Sequence, residues 1–300
     1  EVGIWFSPQS YYQSWAEEGD ARRPMEAIQG IARALNRASV PWTVVEESHT
    51  AALSGLKLVF LPRTLVVDEP AADALAEFAR AGGTLVVESE AGAFGADGIY
   101  RYPEERFLSR HFDVQEVGRR PLPADVVPVS VDPGHGPATY FLPAVQWATP
   151  YRNGALTQQV AAGEGRLIAV GLFSAEAYYA AERRTEAAVG AGAAEYERFV
   201  YDVVVGSGVS VPVRLLEAAP EAALAHVRVG YAGRTPVVYV ITEDARRALT
   251  LEVTDARLAA ALQGGVIDLL SRRTFTMRDR QIVLPPSAWG VTILVPGSAA

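Results

Sequence analysis

The chain has 300 residues, 49% of them hydrophobic and 21% charged, enough for one large or two ordinary domains with proper cores. Its net charge of −8 repels polyphosphate, and no Arg cluster with interleaved aromatics offsets that, which argues against nucleic acid as a partner. Without a single cysteine, disulfides, thiolate zinc sites and a cysteine nucleophile are excluded, while the compartment stays open, with cytoplasmic as the default preference.

Val2, Ile4 and Phe6 alternate as a strand does, with no initiator Met, signal peptide or solvated lead-in before them. This reads as a piece of something longer. A polar, aromatic loop is expected over Ser7–Asp20, followed by a helix that opens at Pro24 and carries Met25, Ile28, Ile31 or Ala32, Leu35 and Ala38 at helical spacing. Trp42–Val45 and Leu56–Leu61 are strands, Glu69–Ala81 is a helix ended by Gly82-Gly83, and Thr84–Val87 is a fourth strand. Short, β-branched, nearly all-apolar strands joined by helices predict a mostly parallel sheet with helices on both faces. Ligands on such sheets sit at the carboxyl ends of the strands, which singles out Ser7–Asp20, Pro62–Asp68 and Glu88–Gly98.

From about Gly92 to Ala155 the pattern weakens into a Pro- and Gly-rich stretch with short strands such as Val126–Val131 and Ala155–Val160. Arg166–Gly171 is a clear strand after the tight Gly163-Glu164-Gly165 turn. A helical zone over Ala175–Gly206, split at Gly190-Ala191-Gly192, shows one apolar stripe of Tyr196, Phe199, Val200, Val203 and Val204 and closes a first domain, 1–210. Beyond it, His226–Tyr231, Val237–Thr242, Leu249–Val253, Val266–Asp268, Arg273–Met277, Gln281–Leu284 and Gly290–Val295 recur at hairpin-like intervals. A small antiparallel β-sandwich over 211–300 fits them. No apolar run approaches the ~20 residues a bilayer crossing needs, so no membrane partner is expected.

Candidate chemistry is sparse. Val87-Glu88-Ser89-Glu90-Ala91-Gly92 lies where class I amidotransferase-like folds carry a nucleophile elbow, but Val87 replaces the usual Gly two positions before Ser89, and none of His49, His111, His135 or His226 sits in a partner motif. An inherited, inactive turn is the preferred reading. Glu88 and Glu90, two apart on extended chain, would point the same way at roughly 7 Å, a spacing a glycosidase pair could use, yet nothing marks a sugar cleft and a solvated turn is preferred. The aromatic loop displays Tyr11, Tyr12 and Trp15, suited to a sugar face or, by preference, a protein interface. There is no His-x-x-x-His, EF-hand loop or paired His/Asp cluster, and the Gly-rich segments lack a phosphate-loop setting, so neither metal nor cofactor is expected.

The order strand, SPQSYYQSW, helix, WTVVEE, LKLVFLPRTLVVDEPAADALAEFARAGGTLVVESEAG and GEGRLIAVG resembles the trimerisation domain of family 42 glycoside hydrolases, the microbial β-galactosidases. The tail VIDLLSRRTFTMRDRQIVLPPSAWGVTILVP is similar to the small β-sandwich that ends those enzymes, whereas Ala93–Pro150 and Tyr178–Gly192 match nothing in the family. The resemblance implies an α/β, amidotransferase-like (flavodoxin-like) sheet without amidotransferase chemistry, followed by the sandwich. It further implies a homo-oligomer such as a trimer, a catalytic (β/α)₈ barrel upstream that carries both catalytic glutamates, a carbohydrate substrate for the parent enzyme, and an interface role for Tyr11-Tyr12. No catalytic residue is assigned here. The competing reading is a self-contained carbohydrate-binding or hydrolytic module that uses the aromatic loop with Glu88 or Glu90.

Overall fold

A computed structural model describes residues 1–183, 190–216, 225–242 and 245–297. The chain divides into two units, the first comprising Glu1–Ala34 and Trp42–Val209, the second Leu35–Pro41 and Ser210–Ala300.

In chain order the first unit contains β1 (Val2–Phe6), α1 (Pro8–Glu18), α2 (Arg22–Arg37, which runs on into the second grouping), β2 (Trp42–Glu46), β3 (Leu58–Leu61), α3 (Glu69–Arg80), β4 (Thr84–Val87) and α4 (Phe107–Phe112). These are followed by β5 (Val126–Val131), β6 (Ala138–Pro143), β7 (Thr157–Ala162), β8 (Gly165–Val170), α5 (Ser174–Arg183) and α6 (Gly190–Gly206). The main sheet has the order β2-β1-β3-β4-β8-β7. All its pairings are parallel except β7 with β8, a hairpin closed by Gly163-Glu164. Every residue of β3 and β4 is buried, as strands covered on both faces require. β5 and β6 form a separate antiparallel pair in the Pro-rich region.

Three expectations are corrected here. Segment 7–20 is not a loop but contains α1. Ser7, in extended conformation, caps it by accepting from Ser10 N, Pro8 occupies the first turn, and Gly19 ends it at φ 67° with its N–H on Trp15 O at 2.8 Å. Its buried positions are Ser10 and Ser14, so the helix turns a serine face inward and hydrophobic periodicity could not reveal it. On α2 the buried stripe runs through Ala27, Ile31, Ala34 and Leu35, so Ile31 and Leu35 face inward as expected, while Met25 is exposed. Finally, Gly190-Ala191-Gly192, expected to split the helical zone, all lie within α6; residues 184–189 before it lie outside the described residues.

Close backbone packing fixes where α2 meets α5. A Cβ placed on Gly30 would stand 2.1 Å from the Ala175 carbonyl oxygen, so only glycine fits. Gly30→Val should destabilise the protein by about 1–3 kcal/mol, the usual cost of forced overpacking, read as a lowered urea midpoint; an unchanged midpoint would contradict this approach.

The second unit is built from β9 (Val213–Leu215), β10 (Ala225–Ala232), β11 (Thr235–Thr242), β12 (Leu249–Val253), α7 (Ala256–Leu262), β13 (Val266–Asp268), β14 (Thr274–Phe275), β15 (Gln281–Leu284) and β16 (Val291–Pro296). Two antiparallel sheets, β10-β11-β16-β13-β14 and β15-β12-β9, bury Val227, Val240, Leu251, Val266, Ile282 and Leu294 in one core. The expected strand Arg273–Met277 is only the two residues of β14, because 269–273 form a turn tied to Asp268. Helix α7, capped by Asp255 accepting from Leu258 N at 2.7 Å, falls where no element was anticipated.

Candidate functional site

The strand order reverses between β1 and β3, and ligands on such sheets bind outside the carboxyl ends at that point. Here the protein's own chain fills the crevice. Ser10 Oγ accepts from Val66 N at 2.9 Å, and Ser7 Oγ donates to Val66 O at 3.4 Å, which stitches α1 to the segment after β3.

Arg63 lies just beyond β3 with a left-handed backbone (φ 40°) and a side chain that is 0% exposed. Its guanidinium donates to Glu18 Oε1 at 2.7 Å, Glu176 Oε2 at 2.9 Å and Gln146 Oε1 at 2.8 Å, and its carbon centre sits 4.4 Å from the Phe173 ring centroid. Arg23 pairs with the other oxygen of Glu18 at 3.1 Å. Burial raises the Glu176 carboxyl, opposed by Arg63 and Arg23. Beneath them Glu88 accepts from Ala175 N at 2.6 Å and Arg63 N at 3.3 Å, yet burial pushes its carboxyl up to about 8. At neutral pH Glu88 therefore holds a proton most of the time. The cavity it lines is about 10 Å³, room for one water and not for a sugar ring.

The turn expected to be solvated is buried: Glu88 is 5% and Glu90 2% exposed. The chain does not stay extended either, since Glu90 adopts φ 60° and its side chain goes elsewhere. Glu90 meets Arg119 in a two-pronged pair of 2.7 and 3.0 Å, and Arg119 stacks 3.9 Å from the Trp147 centroid. Glu90 N donates to Glu116 at 2.8 Å. Glu116 is paired with Arg106, itself bonded to Tyr100 Oη at 2.8 Å; burial pushes Glu116 up to about 7 against the pull of Arg106. Ser89 shares a hydrogen bond with the buried Thr149 hydroxyl, and no histidine is among its partners. The left-handed residue is Glu90, one place after the position a nucleophile elbow would use.

Sequence reasoning missed Arg63, Arg106, Arg119 and Gln146, and the buried carboxylates Glu116 and Glu176 that join this network. A signal existed for Arg63 alone, a charge inside the apolar run from Leu58 to Val67. The others come from irregular chain or helix starts far away in sequence. Among the described residues no group of three or more His, Cys, Asp or Glu could hold a metal ion, and no helix is long and apolar enough to cross a membrane.

While the polar groups are closed in, the aromatics face out. Tyr12 and Trp15 on α1 are 68% and 63% exposed, and Ile99, Tyr100 and Tyr102 are exposed on the neighbouring loop, where Gly98 abuts the Gln13 side chain. Tyr11 is partly buried and packs edge-on to Tyr12 at 6.0 Å. Tyr100 and Tyr102 pack likewise at 6.1 Å.

Residues 1–102 match the family model of the β-galactosidase trimerisation domain. Solved structures extend the likeness beyond residues 1–102. The β-galactosidase from Bacillus circulans sp. alkalophilus aligns at 15% identity with a TM-score of 0.70, over 99% of this chain and 41% of its own. A catalytic mutant of a family 42 β-galactosidase from G. stearothermophilus aligns at 16% identity and TM-score 0.68, over 99% and 40%. An α-L-fucosidase isoenzyme from Paenibacillus thiaminolyticus does so at 11% and 0.62, over 98% and 48%. At these identities the likeness is one of fold, and the chain spans less than half the length of each. No curated protein sequence matches the chain.

Proposed function

We propose that this chain is a non-catalytic oligomerisation and accessory region of a β-galactosidase-like glycoside hydrolase, whose bond-cleaving groups lie outside these 300 residues. The observation that carries the reading is the trimerisation match over 1–102, on a unit whose exposed apolar groups gather on α1 and the 99–102 loop. The first unit, in this reading, is an amidotransferase-like (flavodoxin-like) domain that has kept the sheet and lost the chemistry: Ser89 is bonded inward to Thr149, Glu90 is bound by Arg119, and the cavity that Glu88 lines is only about 10 Å³. The second unit is a β-sandwich appendage. Tyr12 and Trp15, with Tyr11 supporting Tyr12 from beside it, form the contact surface for further copies of this chain and for the catalytic barrel, and the substrate of the whole enzyme is a carbohydrate. A cytoplasmic setting is kept in the same proposal as its default.

Sedimentation velocity tests it. The chain should self-associate in a concentration-dependent way, and Tyr12→Ser with Trp15→Ser should shift it to monomer without lowering its melting temperature, because both residues are exposed. The competing reading of a self-contained hydrolase makes a different prediction. Turnover of a β-galactoside by this chain, abolished by Glu88→Gln or Glu90→Gln, would overturn the proposal.

A further inference from the structure

The second unit carries a polar cavity that the oligomerisation reading does not use. It lies between the turn after β13 and the segment 285–290 that leads into β16, with a volume of about 270 Å³. Asp268 contributes to its lining but is not a free charge: its carboxylate accepts from Leu270 N at 3.2 Å, Ser271 N at 3.0 Å and Ile293 N at 3.0 Å, and from the Ser271 hydroxyl. The residue fixes the turn that presents Ser271 and Arg273.

Opposite stands Trp289, 77% exposed, the highest value among the exposed large hydrophobic residues described. Its backbone is nonetheless held. Ser287 Oγ donates to Val291 O at 3.0 Å and accepts from Trp289 N at 3.4 Å, and Gly290, at φ 66°, passes its carbonyl to Thr242 N at 2.7 Å. Exposing a ring of this size on an anchored turn forgoes the burial that core tryptophans gain. Arg273 also lines the cavity, and its guanidinium has no hydrogen bond or ion pair among the described residues. An unburied indole, an unengaged guanidinium and two hydroxyl oxygens with spare lone pairs, on Ser271 and Ser287, thus converge on one cavity.

We propose that this cavity is a saccharide subsite that takes a single neutral hexopyranose ring. The apolar C–H face of such a ring stacks on the indole, as sugar faces do on flat aromatics. Its hydroxyls accept from Arg273 and donate to Ser271 and Ser287. The volume lies just below the range of pockets that hold drug-sized ligands, which favours one ring over an extended chain. Neutrality follows from charge: a single cation on a chain of net charge −8, beside the Asp268 carboxylate, is a poor attractor for an acidic sugar. The inference stands on the second unit alone, so failure of the oligomerisation reading leaves it intact.

The test titrates the full chain with methyl β-D-galactopyranoside and methyl β-D-glucopyranoside while the Trp289 indole N–H resonance is followed by NMR, assigned by its loss in Trp289→Ala. Saturable shifts with a Kd on the order of 1–10 mM are expected for at least one of them. In Trp289→Ala and Arg273→Ala, calorimetric or saturation-transfer binding should weaken about tenfold, with the melting temperature unchanged because neither side chain is buried. Three outcomes overturn the proposal: no shift for either glycoside, binding untouched by both substitutions, or tighter binding of galacturonate than of the neutral glycosides.

Discussion

Replacing Arg63 with methionine is expected to cost about 3–5 kcal/mol of folding stability, the range seen when one member of a buried ionic cluster is removed. Methionine keeps much of the volume against Phe173 but leaves Glu18 and the nearly buried Glu176 facing each other with Gln146 and Arg23. The charge left behind, more than the lost attraction, makes the effect large. It should depend on pH. Burial already raises the Glu176 carboxyl and Arg63 holds it down, so without Arg63 it takes a proton more readily. Urea unfolding at pH 8 should therefore show a greater loss than at pH 5.5, where protonation relieves the unpaired charge. A loss below about 1 kcal/mol at both values would mean that the cluster is not the buried, mutually dependent network described.

The intact protein should be most stable near pH 5 and lose stability steadily toward pH 8. Glu88 is raised from 4.5 to about 8 and Glu116 to about 7, both chiefly by burial. Each keeps in the folded state a proton that the unfolded chain releases. Their favourable contribution is complete below the unfolded value and declines as pH climbs toward the folded one, at about 1.4 kcal/mol per pH unit for each proton retained. Carboxyls with lowered values, such as Asp20 at about 2 and Asp268, act in the opposite sense, and what they add is lost as pH falls below about 4. Glu88→Gln isolates the first effect. It removes one of the two acceptors now serving Ala175 N and Arg63 N, which costs about 1–3 kcal/mol at pH 5. It also abolishes that site's decline with pH, about 3–4 kcal/mol between pH 5 and pH 8, so the variant, less stable at pH 5, should draw level with the wild type and overtake it by pH 8. Parallel curves would show that Glu88 is ionised in the fold.

Much of the scaffold was legible because local rules and burial agree there. Val2–Phe6, Thr84–Val87 and Gln281–Leu284 are short apolar or alternating runs between turn signals, and Asp68-Glu69-Pro70 announces a capped helix that the structure places at Glu69–Arg80. Misreadings occurred where a segment's inward face is not hydrophobic. Helix α1 buries serines and displays aromatics, so its pattern looked like a loop although its cap, Pro8 and Gly19 were all present. The Glu88-Ser89-Glu90 turn looked solvated because charged residues are seldom buried without partners. Its partners come from Arg63, Arg119 and the start of α5, up to 87 positions away.

By itself the sequence settled most strands, the helices α2 and α3 and the change to an antiparallel second half, because these follow from periodicity, caps and turn residues within a few positions of each other; the likeness of the opening segment to the trimerisation domain came from its resemblance to family segments and not from periodicity. Only the tertiary structure decided what becomes of the charges at the strand ends. Whether a carboxylate is an open acid or a sealed counter-charge depends on which arginine reaches it and how much water remains, and both are fixed by packing between residues distant in the chain.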